Sequence, residues 1–172
     1  MEENMQELVS MYPTDIKECY QLVNAQLSSM LENEPFVLPN LSNCSALLRL
    51  AMREINWVGF YLMKNGELLL GPFQGKPACV HIRLGKGVCG TAAQKDCPQL
   101  VPDVHTFPGH ISCDNDSRSE IVIPIHTGGK VIGVLDIDSP VPGRFHSDDL
   151  EGLTEIVHTL EECCDWTDVA LL

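Results

Sequence analysis

Cys79, Cys89 and Cys113 stand among glycines, prolines and acids, outside any clear core pattern. Cys79 ends the run Gly71-Pro72-Phe73-Gln74-Gly75-Lys76-Pro77-Ala78-Cys79, and Cys89 sits inside Gly87-Val88-Cys89-Gly90. Cys113 follows Pro108-Gly109-His110-Ile111-Ser112 in a long loop from Asp103 to Arg118. Thiols on irregular backbone are placed for chemistry, because loops carry function while cores carry packing. That chemistry could be nucleophilic, redox or metal-binding. No pair of the three has the Cys-x-x-Cys spacing of a thioredoxin motif. Cys89 falls at an expected helix start, where unpaired N–H groups and the helix dipole would stabilise a thiolate. Cys79, His81, His110 and Cys113 could in principle hold zinc, but no pair has the usual finger spacing, and no metal is expected.

Carboxylates and aromatics form a second constellation. Asp136 and Asp138 share one face at the end of a nearly all-apolar strand, and Glu120 opens the strand expected to pair with it. Three acids at one end of a hydrophobic hairpin need a cation, a metal, shared protons or plain solvent at an exposed strand end. On the strand Trp57–Met63, period two puts Trp57, Gly59, Tyr61 and Met63 on one face, and Val58, Phe60 and Leu62 on the other. The second face is core. The first carries two aromatics with polar tips, suited to lining a pocket for a small group or to lying amphipathically on a sheet surface.

The elements that must position these residues follow from periodicity and turn chemistry. A helix is expected over 14–32, capped by Thr14, with Ile16, Cys19, Tyr20, Val23, Leu27 and Met30 at helical spacing. The prolines between Asn33 and Pro39 break the pattern before a second helix over 41–55. Asn65-Gly66 turns the strand Trp57–Met63 into Glu67–Leu70. Val80–Arg83 reads as a short strand, Gly87–Lys95 as a helix beginning near Cys89, and Leu100-Val101 as another short strand. Glu120–Ile125 and Lys130–Asp138 form a hairpin across Thr127-Gly128-Gly129, and Ser147 caps a final helix over 148–165. This order implies an α+β fold, with N-terminal helices and a C-terminal helix packed on a central antiparallel sheet.

At 172 residues the chain suits one domain with a real core. A formal charge of −13 argues against nucleic acid and anionic membrane surfaces as partners. No apolar run reaches a membrane span, and the acidic start Met1-Glu2-Glu3-Asn4 does not read as a signal peptide. The eight cysteines are therefore expected in a reducing compartment, the cytoplasm. Cys19 and Cys44 fall in helical patterns as core fillers, Cys97 precedes Pro98, and Cys163-Cys164 is a vicinal pair with one thiol inside and one outside. His105, His126, His146 and His158 read as surface or packing residues.

Assembled in order, these segments resemble a known family. The run Gly71–Cys79 is followed by Gly87-Val88-Cys89-Gly90-Thr91-Ala92-Ala93, Asp103-Val104-His105, Phe107-Pro108-Gly109-His110-Ile111, Cys113-Asp114, Ser119-Glu120 and Leu135-Asp136-Ile137-Asp138. The series looks like free methionine-R-sulfoxide reductase, an enzyme built on the GAF fold. The match runs from about Asn56 to Phe145, with Asn56-Trp57-Val58-Gly59-Phe60-Tyr61 at its start. The resemblance implies a single GAF-like domain over 1–172. The helical segment would span about 14–55, the sheet and active-site loops about 56–145, and the closing helix about 147–166.

It further implies that Cys113 attacks the sulfoxide, Cys79 resolves the product, and Cys89 is a third thiol able to join the disulfide relay. Trp57 and Tyr61 would contact the substrate methyl group, Glu120 and Asp138 the sulfoxide, and Asp136 the amino group. No bound cofactor is implied; an external thioredoxin-type dithiol would restore the enzyme, and a homodimer is expected. Cys97 and Cys163-Cys164 depart from the family pattern. A non-catalytic, small-molecule-sensing GAF module is the alternative from another class, since a fold alone does not give function.

Overall fold

The computed structural model describes residues 11–109 and 115–167. Helix α1, Ile16–Leu31, turns Cys19, Tyr20, Val23, Leu27 and Leu31 inward at helical spacing. Its cap is Asp15, whose carboxylate accepts from the backbone N–H of Lys17 and Glu18 at 3.0 Å, and not Thr14. Helix α2 spans Val37–Ala51 rather than 41–55. Pro39 lies in its first turn, where a missing N–H costs no helical hydrogen bond, so the proline opens the helix instead of excluding it. The helix stops before Glu54, whose φ of 58° is left-handed.

Among the described residues six antiparallel strands follow: β1 Trp57–Lys64, β2 Glu67–Gln74, β3 His81–Arg83, β4 Gln99–Val101, β5 Ser119–Thr127 and β6 Lys130–Ser139. Their spatial order is β3-β2-β1-β6-β5-β4, so β1 and β6 are central. β2 runs four residues past its expected end at Leu70. The register against β1 jumps from Tyr61↔Leu70 to Gly59↔Phe73, which lets Gly71 and Pro72 pass as an irregularity in the ladder.

Helix α3, Gly87–Lys95, connects β3 to β4. Helix α4, Ser147–Cys163, closes the described fold. His146, not Ser147, is the α4 cap residue; its N–H donates to Asp149 Oδ2 at 2.9 Å.

Both faces of the sheet are covered. On one, Val58, Phe60 and Leu62 of β1 join Leu135 and Ile137 of β6 in a core with α1, α2 and α4. On the other, Trp57, Tyr61, Val122 and Val134 pack with α3 residues Val88, Cys89, Ala92 and Ala93. The two faces of β1 are therefore divided as period two predicts. α3 approaches closely because Gly90 has no side chain: a Cβ there would lie 2.3 Å from the Arg83 carbonyl oxygen. No helix among the described residues is long and apolar enough to cross a membrane.

Candidate active site

The sheet register builds one wall of the site. Trp57 pairs with Asp138, and Asp138 with Glu120, so three adjacent strands contribute one row. The next row is Gly59, Asp136 and Val122. The acids and the aromatic face meet on the same side of the sheet, beneath α3.

Trp57 stacks on Phe73 at 5.3 Å between ring centroids and on Tyr61 at 6.0 Å. Gly59 leaves room for the indole: a Cβ there would lie 2.7 Å from the Trp57 ring and 2.4 Å from Phe73 Cβ. The polar tips of the aromatics hold the loop that follows β2. Trp57 Nε1 donates to the Lys76 carbonyl at 3.1 Å, and the Tyr61 hydroxyl donates to the Cys79 carbonyl at 3.0 Å. Lys76 in turn pairs with Asp116. The ring faces are left to line a cavity whose other sides are Pro77 and Ala78, the α3 start from Lys86 to Cys89, and the three acids.

The carboxyls are not exposed strand ends. Glu120 and Asp136 are each 6% exposed, and Asp138 is half-buried. Burial, then the neighbouring Asp136 and Asp138, push the Glu120 carboxyl well above its ordinary range. Burial also raises Asp136, to about 6, while hydrogen bonds with Cys89 and Glu120 pull it back. Burial and proximity make the pair hold a proton into the range where an ordinary carboxyl has lost it. Asp136 Oδ1 is buried without a hydrogen-bond partner among the described residues, an acceptor awaiting a donor.

Cys89 departs from its expected thiolate. It is the third residue of α3 and is buried; loss of solvent, followed by Asp136 and Glu120, raises its pKa well above the usual thiol value. The helix terminus does not offset a dry site beside two acids. Its Sγ–H donates to Glu120 Oε1 at 3.9 Å. Donor atoms of Cys89, Glu120 and Asp136 lie within 4.8 Å of one another, close enough to suggest a metal-ligand set. The thiol and Glu120, however, hold the protons that ligation would have to displace.

A GAF-domain family profile matches residues 17–163. Free methionine-R-sulfoxide reductase of Escherichia coli K12 is 48% identical over 151 residues, covering 88% of this chain and 92% of that protein. The chain belongs to the free methionine-R-sulfoxide reductase family of GAF-domain proteins.

Among solved structures, fRMsr of Staphylococcus aureus in complex with substrate superposes with a TM-score of 0.82 at 52% identity, covering 89% of this chain and 97% of that one. Free methionine-R-sulfoxide reductase of Neisseria meningitidis, also in complex with its substrate, gives 0.84 at 41% identity, covering 87% and 90%.

Trp57, Tyr61, Cys89, Glu120, Asp136 and Asp138 all line the one cavity, and Cys79 ends the segment that walls it. Cys113 and His110 lie outside the described residues. Cys79 is disulfide-bonded, whereas Cys19, Cys44, Cys89, Cys97, Cys163 and Cys164 are free. The zinc set loses support, because a disulfide sulfur is not a thiolate ligand and exposed His81 turns to Glu67 at 2.9 Å. Cys19 and Cys44 are core residues, and of the vicinal pair Cys163 is exposed and Cys164 buried, as expected; Cys97 is exposed. The roles of Phe73 and of the Lys76 carbonyl escaped sequence reasoning. The only signal was their place in the motif run Gly71–Cys79.

Proposed function

We propose that the chain reduces free L-methionine-R-sulfoxide to L-methionine by thiol chemistry in this cavity. A sulfoxide sulfur is a poor electrophile until its oxygen accepts a proton. The observation that carries the reading is Glu120, a buried carboxyl set beside Asp138 by the sheet register, with burial and the neighbouring acids raising its pKa. Cys113 attacks the sulfur as thiolate while Glu120, helped by Asp138, protonates the oxygen. The oxygen passes to Cys113 as a sulfenic acid and methionine leaves. Cys79 condenses with the sulfenic acid, forming a disulfide and water. A thioredoxin-type dithiol then reduces that disulfide by exchange.

The disulfide-bonded state of Cys79, beside a free Cys89, supports Cys79 as the resolving thiol. The unpartnered Asp136 Oδ1 suits the substrate ammonium, and Trp57 with Tyr61 suits its methyl group. A residue within a peptide lacks that ammonium, which favours the free amino acid. A cytoplasmic homodimer completes the proposal.

The test is incubation with free L-methionine-R-sulfoxide and dithiothreitol, with methionine followed by chromatography and peptide-bound methionine sulfoxide as control. Methionine should form from the free substrate alone. No methionine, with the thiols intact, overturns the reading and leaves a ligand-sensing module.

A further inference from the structure

Cys89 is the buried thiol that the relay above leaves without a task. It is free while Cys79 is disulfide-bonded, is 3% exposed in the first turn of α3, and lies 3.9 Å through Sγ from Glu120 Oε1. We propose that Cys89 is a positioning residue of the reductive step: its S–H donates to Glu120 Oε1 and stabilises that carboxyl as it gives its own proton to the sulfoxide oxygen. The inference rests on the reductase reading.

A thiol has one proton to donate; Asp136 competes for it, and the contact with hydrogen-bond geometry is the one to Glu120 Oε1 at 3.9 Å. Two buried acids beside Cys89 keep that proton on sulfur, so the group is a donor and not a nucleophile. When Glu120 gives its proton to the sulfoxide, the contact becomes S–H to a carboxylate, which is charge-assisted and stronger. Stabilisation that appears as charge develops accelerates the step that develops it.

The same hydrogen bond draws Glu120 down from the range that burial, Asp136 and Asp138 impose. The groups facing Glu120 are Asp136 and Asp138 on β6, Tyr61 on β1 and Cys89 on α3. Lys76 and Lys86 line the same cavity.

The test compares Cys89→Ala with Cys89→Val; both remove the donor, and valine fills the space that alanine leaves open. Single-turnover methionine release should slow about tenfold in both, while cycling with dithiothreitol continues. The alkaline limb of that release should move to higher pH. Without substrate, the infrared carboxyl band that Glu120→Gln abolishes should persist to higher pH in both variants.

Normal behaviour of Cys89→Val beside a slowed Cys89→Ala makes the residue packing alone and overturns the proposal. Unchanged single turnover with lost cycling makes it a relay thiol, and also overturns it. If neither variant folds, the wild-type infrared spectrum decides. One S–H band should shift as the Glu120 carboxyl ionises, and its absence overturns the proposal. These shifts in a chain that makes no methionine would sink the reductase reading alone.

Discussion

Replacing Asp136 by asparagine should make the fold more tolerant of neutral pH. Asp136 is buried, its Oδ1 has no hydrogen-bond partner among the described residues, and burial lifts its pKa from 3.8 to about 6. The folded state therefore holds this proton more tightly than the unfolded chain does. The stability this provides is complete below the unfolded value, and is lost as pH rises through the folded one. At about 1.4 kcal/mol for each pH unit between the two values, the loss is about 3 kcal/mol.

Asparagine cannot ionise, so the variant should gain on the wild type by that amount between about pH 4 and pH 7. With a urea dependence of about 2 kcal/mol per molar, the unfolding midpoints should diverge by about 1.5 M across that range. Urea titrations at constant reductant, followed by circular dichroism, measure this directly. Midpoints that stay parallel over the whole range would refute the premise that a desolvated carboxylate is held here. The same substitution should raise KM for free methionine-R-sulfoxide, because the ammonium loses its partner. A costly buried charge retained for binding is a stability–function exchange.

Glu120→Gln should slow single-turnover methionine formation by about 10²–10⁴-fold, the usual contribution of a general acid, and leave disulfide recycling by dithiothreitol intact; equal losses in both steps would point to misfolding instead. Cys113→Ser should make no methionine, whereas Cys79→Ser should release about one methionine per enzyme and then stop, as quench-flow and chromatography can count. Normal cycling of Cys79→Ser would move the resolving role elsewhere. Asp149 accepts from Arg144 Nη1 at 3.1 and 3.3 Å and from the Tyr20 hydroxyl at 2.7 Å, and is 2% exposed. Asp149→Ala should therefore cost about 3–5 kcal/mol in urea unfolding, with kcat unchanged. A loss below about 1 kcal/mol would mean that the cluster behaves like a surface pair.

Local chemistry made much of this molecule legible from its residues alone. Strand alternation separated Trp57 and Tyr61 from Val58 and Phe60, because side chains on a strand alternate whatever lies across from them. Asn65-Gly66 and Thr127-Gly128-Gly129 announced their hairpins, and the motif series named the family. Caps and helix limits were less legible. Pro39 could have ended a helix or opened one, and only the path of the preceding chain chose between them. Thr14 and Ser147 read as caps, but Asp15 and His146 take those places, because backbone angles that no sequence pattern reports decide the cap.

The tertiary structure alone decided what the acids and thiols are. Glu120 and Asp138 are eighteen residues apart in the chain, yet the hairpin register sets them side by side. Whether such a pair meets water or protein depends on α3, from a different part of the chain. That cover removes solvent, raises the pKa of Glu120 and of Cys89, and leaves Asp136 Oδ1 unsatisfied. Sequence carries residue type and local period, whereas protonation is set by dielectric and neighbours, which exist only once distant segments have packed.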